Sequence, residues 1–80
     1  AAYVERSIAC NREMLGAGFS ADMEKQIREA LEMSCQAWDS IGRTAKMLAA
    51  IKTCDGKTAC LEWMICTAEA LLKTADIESP

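Results

Sequence analysis

The sequence predicts an all-α fold: a small disulfide-stapled bundle of three or four antiparallel helices in a single domain, residues 1–80. Three observations predict it. Apolar residues recur at helical spacing in three segments, and nowhere do they alternate with polar ones as a half-buried strand requires. The glycines at 16, 18 and 56 fall between those segments and Gly42 inside the second, and the single proline is the last residue. Five cysteines supply cross-links, which matter because a chain this short buries only about 60% of its unfolded surface and needs more than a core to be stable.

The first helix is expected over about 2–15. Tyr3, Val4, Ile8, Cys10, Met14 and Leu15 share one arc of a helical wheel, with Glu5, Arg12 and Glu13 on the other side. The turn "GAGFS" ends it, since Gly16 and Gly18 tolerate positive φ and Ser20 is a natural N-cap for the next helix.

The second helical stretch covers about 21–52. Ile27, Leu31, Ser34, Trp38, Ile41, Ala45 and Leu48 recur at alternating steps of four and three, a heptad seam. Glu24–Arg28 and Arg28–Glu32 have the i,i+4 spacing of helix ion pairs. An unbroken helix of this length would reach about 45 Å, against a radius of gyration near 12 Å for so short a domain. A bend near 40–42 is therefore expected, at Gly42; a second subunit covering the overhang is the alternative.

The third helical stretch covers about 58–75, entered from Gly56 with Thr58 as its cap. Leu61, Met64, Ile65, Ala68, Leu71, Leu72 and Ala75 form the expected core seam. Trp63, Cys66 and Ala70 then make a second apolar strip on the other side, beside Glu62, Glu69 and Lys73. A helix apolar on two faces is contacted on both, so Trp63, Cys66 and Ala70 are the expected partner-binding residues. The tail "DIESP" is expected to fray.

All five cysteines, Cys10, Cys35, Cys54, Cys60 and Cys66, are candidates for disulfides. A metal site is not expected: there is no C-x-x-C and no histidine, and six helical positions rotate Cys60 and Cys66 about 120° apart. The same missing motif removes a thioredoxin-like redox site. "DGKT" is not a phosphate loop, because position 51 is Ile where the Walker pattern needs glycine. Connectivity stays open. Cys54–Cys60 spans a tight connection, Cys10 suits Cys35 or Cys66, and Cys66 is the candidate for the odd thiol, with a two-fold dimer as its consequence.

For function, the composition excludes more than it names. With 51% hydrophobic and 26% charged residues the chain is globular rather than disordered, and a net charge of −3 argues against nucleic acid as a partner. No apolar run is long enough for a membrane span. The start "AAYVER" lacks methionine, which suggests a processed or cropped chain. Cysteine content points to an oxidising compartment, secreted or periplasmic. No catalytic residue and no cofactor are expected, because the carboxylates spread over helix faces instead of converging. The expected role is a small helical interaction protein that binds a protein partner or a second copy, of signalling, toxin, inhibitor or immunity type. The alternative is a carrier holding a small apolar ligand between its helices.

Overall fold

In the computed structural model, the backbone is described for residues 2–78 and the side chains for residues 2–74. Ala75 of the expected seam and the last two residues of "DIESP" lie outside those limits. Among the described residues there are four α-helices: α1 (Ala2–Leu15), α2 (Ala21–Ser40), α3 (Thr44–Lys52) and α4 (Cys60–Glu78). The chain is thus all-α, a small helical bundle with two disulfides.

Local chemistry sets the boundaries. α1 ends where Gly16 takes a φ of 54°, a left-handed conformation that glycine adopts without steric cost. One 3-10 turn, Gly16–Gly18, follows. Ser20 then caps α2, its hydroxyl accepting from the Met23 backbone N–H at 3.1 Å. α2 stops at Ser40, and Gly42, at φ 70°, lets the Arg43 N–H fold back onto the Trp38 carbonyl at 2.8 Å. The expected bend is a complete break with a new helix after it. The heptad seam read across this break therefore does not survive as one face: Ile41, Ala45 and Leu48 are exposed. α3 ends at Lys52, ahead of Gly56, and α4 begins at Cys60, two residues later than expected.

The helices close into a ring. α1 packs on α2 and α4, and α3 packs on the same two, while α2 and α4 make no substantial contact with each other. Val4, Ile8, Cys10, Met47, Ile51, Cys54 and Trp63 are the buried apolar residues. Trp63 is the centre, 1% exposed, against Cys10 and Cys54, with Tyr3, Cys60, Cys66 and Ala70 around it.

Two disulfides tie this centre together. Cys10 of α1 bonds Cys60 at the start of α4, with Cα atoms 5.3 Å apart. Cys54, in the turn after α3, bonds Cys66 of α4 at a Cα separation of 5.9 Å. Both separations fall in the range a disulfide needs. This corrects the expected connectivity: Cys54–Cys60 and Cys10–Cys35 do not form, and the cysteine left over is Cys35, not Cys66. The 120° between Cys60 and Cys66 is the reason. Side chains that far apart on one helix cannot share one ion, but each can grip a different neighbour.

The disulfides also fix the roll of α4. With Cys60 and Cys66 at the two edges of its inward arc, Trp63, Thr67 and Ala70 point inward between them. Leu61, Ile65 and Leu72 point out, at 57%, 50% and 66% exposure. The expected roll is corrected here: of the seam, Met64 and Leu71 are half-buried, with Met64 against the core, while Leu61, Ile65, Ala68 and Leu72 face solvent, and the strip of Trp63, Cys66 and Ala70, expected to meet a partner, packs on the core. Burying an indole and two half-cystines outweighs burying three aliphatic side chains, because the covalent bonds admit only one roll.

α2 is attached differently. It has no buried residue. Arg28 pairs with Glu5 of α1, through bonds of 2.5 and 3.2 Å, and Arg12 of α1 pairs with Glu24. Arg28 thus bonds across to α1 instead of along its own helix. The pairing with Arg28 holds the Glu5 carboxyl below the usual carboxylate range.

Candidate functional site

Three of the chain's four aromatic rings stand in a row across the bundle. Tyr3 lies between Trp38 of α2, at a centroid distance of 5.9 Å, and Trp63 of α4, at 6.1 Å. These are separations at which tilted rings attract. Burial raises the pKa of the Tyr3 phenol, the nearby Cys35 thiol adds to that rise, and a bond to the Ser7 side chain opposes it. Trp38, expected in the core, is half-buried and forms a wall.

Two hollows flank this row. The first is a groove of about 480 Å³. Its floor is α1 at Tyr3, Ser7 and Asn11; Ile27, Leu31 and Trp38 of α2 form one wall, and Met64, Ala68, Leu71 and Leu72 of α4 the other. It exists because α2 and α4 both lean on α1 without meeting. Ser7 and Asn11 spend part of their polarity on each other, the Asn11 side-chain amide donating to the Ser7 carbonyl at 2.7 Å. Beyond Ala68 and Leu72 the apolar wall continues onto the outer face of α4 through Ile65 and Leu61. The spacing 61, 65, 68, 72 is a heptad seam left open to solvent. Glu62 and Glu69 lie exposed along its far edge.

The second hollow, about 750 Å³, lies between the start of α1 and α3. Ala45, Leu48, Ala49 and Ile51 line one side, Ala2, Tyr3 and Arg6 the other, with Trp63 behind them and Lys52 and Asp55 at one end. The Arg6 guanidinium lies 4.6 Å from the Trp63 ring and donates to the Lys57 carbonyl. Tyr3 and Trp63 are shared by the two hollows. The Trp63 indole N–H is buried with no acceptor, and so is the Thr44 hydroxyl. An orphaned buried donor costs roughly 1–3 kcal/mol.

Of the expected site residues, Trp63, Cys66 and Ala70 are brought together, but as core. The residues that face outward, Leu61, Ile65 and Leu72, were expected inside. The sequence did carry a signal for the roll: cysteines destined for intrachain bridges mark the inward face, and Trp63 lies midway between two of them. Among the described residues no group of three Cys, Asp or Glu side chains is placed to hold a metal ion, and no helix is long and apolar enough to cross a membrane. Comparison with protein-family profiles, curated proteins and solved structures finds no match.

Proposed function

We propose that this is a helical interaction protein that acts by binding, and that its partner lays an amphipathic helix into the α2–α4 groove and along the outer face of α4. The observation that carries the reading is the outward heptad seam Leu61, Ile65, Ala68, Leu72 on a helix whose roll two disulfides lock. A contiguous apolar surface of this kind marks interaction sites on soluble domains, and helix-in-groove recognition uses anchors at this spacing. Met64, half-buried in the groove wall beside it, adds adaptable packing. Glu62 and Glu69 outnumber Lys73 along the edge, which favours a helix with basic flanks. Two disulfides support an oxidising compartment, and within that the secretory pathway or a periplasm fits.

The test uses two fluorescent peptides of about 18 residues with the same Leu/Ile seam, one flanked by Lys and one by Glu. Anisotropy is expected to show the Lys peptide binding at least tenfold more tightly. Ile65→Asp and Leu72→Asp, both at exposed positions, are expected to abolish that binding without lowering the melting temperature. Unchanged binding by Ile65→Asp, or failure of both peptides to bind, would sink the reading. A chain that dimerises in sedimentation, and loses the dimer in Ile65→Asp, would replace it with self-association.

A further inference from the structure

We propose that the cleft between the start of α1 and α3 binds a small amphipathic carboxylate, a molecule with one apolar chain or ring system and one acidic head. The site is distinct from the helix-binding groove and does not depend on it, since only Tyr3 and Trp63 belong to both.

The cleft is polarised along its length. Ala45, Leu48, Ala49 and Lys52 follow one another at steps of three, one and three along α3, a single stripe on one helix face. The first three positions are apolar, and two of them are small enough to leave room for an alkyl chain or a ring. The stripe ends in the Lys52 ammonium. Arg6 is drawn to the same end, because its guanidinium donates to the carbonyl of Lys57 in the turn that follows α3. That bond uses one of the five N–H donors of a guanidinium. The head-group end thus carries Arg6, Lys52 and Asp55: two cations against one carboxylate, one positive charge in excess in a protein whose overall charge is −3. The volume of about 750 Å³ lies within the range of small-molecule sites, which pair mostly apolar walls with a few convergent polar groups.

Equilibrium dialysis with radiolabelled laurate, dodecanol and dodecylammonium, at low micromolar concentration and low salt, tests the proposal on the intact oxidised chain. Three ligands with one tail separate the head group from the chain. Laurate is expected to bind at one site per chain, at least fivefold more tightly than dodecanol, with dodecylammonium weakest. Lys52→Gln, which leaves Arg6 balanced by Asp55, is expected to bring laurate down to the level of dodecanol. Ala49→Phe, which fills the cleft from an exposed position, is expected to remove laurate binding while the circular dichroism and the helix-peptide affinity stay unchanged. Ile65→Asp is expected to leave laurate binding intact, so the two sites fail separately. Absence of saturable laurate binding, equal affinity for the three head groups, or full binding by Ala49→Phe would overturn the assignment.

Discussion

α2 and α4 are the two longest helices, of 20 and 19 residues, and they are held in opposite ways. α4 is fixed by two disulfides and by Trp63 at the centre of the core. α2 has no buried residue, and it leans on α1 through two solvent-exposed ion pairs and the contact of Trp38 with Tyr3. The lesson is that a groove between them has one fixed wall and one compliant wall. The fixed wall presents the heptad seam in one orientation, so the helix partner proposed above would meet a preorganised surface. The compliant wall can shift at smaller cost than the fixed one, since α2 has no fully buried residue to expose when it moves.

The largest effect expected from breaking this asymmetry is loss of the staples. In the chain-entropy account, a cross-link closing the 50-residue separation of Cys10–Cys60 contributes about 4 kcal/mol, and the 12-residue separation of Cys54–Cys66 about 3. A small domain shifts by roughly 4–8 °C per kcal/mol. Full reduction is therefore expected to lower the melting temperature by tens of degrees. The paired variant Cys10→Ser/Cys60→Ser is expected to lose more than Cys54→Ser/Cys66→Ser. Thermal melts with and without reductant check both, and a melt indifferent to reductant would remove the distinction between the two walls. Cys35→Ser, by contrast, is expected to leave the melt under reducing and oxidising conditions unchanged in its difference, because Cys35 takes no part in either bridge.

The next effect sets one tryptophan against the other. Trp63→Ala empties the centre of the core and is expected to cost about 3–5 kcal/mol. Trp38→Ala removes a half-buried ring from the α2 wall and is expected to cost about 1–2 kcal/mol, in proportion to the area lost. Chemical denaturation of the two variants measures the gap. Equal costs would mean that α2 belongs to the core as fully as α4 does.

How much of this was legible follows the same division. The first helix, the Ser20 cap and the interruption at Gly42 rest on local chemistry, which a sequence displays directly: a polar cap residue, a glycine that takes positive φ, a length that does not fit the domain. The roll of α4 is not local. Its aliphatic seam is regular and reads as core, and only the partners of Cys60 and Cys66 reverse it. Those partners lie 50 and 12 residues away, and five cysteines admit many pairings. The clefts were illegible for a related reason. They arise where two helices lean on a third without touching, a property of packing angles that periodicity does not encode. The cross-helix ion pairs escaped as well, because Arg28 offered nearer partners at Glu24 and Glu32 along its own helix.

The smallest effect isolates the compliant wall by itself. Glu5 carries a depressed pKa because Arg28 hydrogen-bonds its carboxylate, so the ionised form is favoured when α2 is docked. The sign follows from that. Above the ordinary carboxylate pKa, Glu5 is ionised whether α2 is docked or not, and the full contribution of the pair is present. As pH falls through the lowered value the docked carboxylate takes up a proton, and the contribution disappears. Both groups are exposed, so the effect is modest and screened by salt. Acidification from pH 6 to pH 3 is therefore expected to speed amide exchange in α2, after correction for the intrinsic rate, while α4 between its cysteines keeps its protection. Glu5→Gln is expected to bring that loss forward to pH 6 and to flatten the pH dependence. Exchange that accelerates equally in both helices would mean that acid opens the whole bundle at once, and the two walls would then be one cooperative unit. Acceleration confined to α2 would establish that the groove widens from one side, with the seam of α4 standing in place as the fixed surface on which the proposed helix partner would dock.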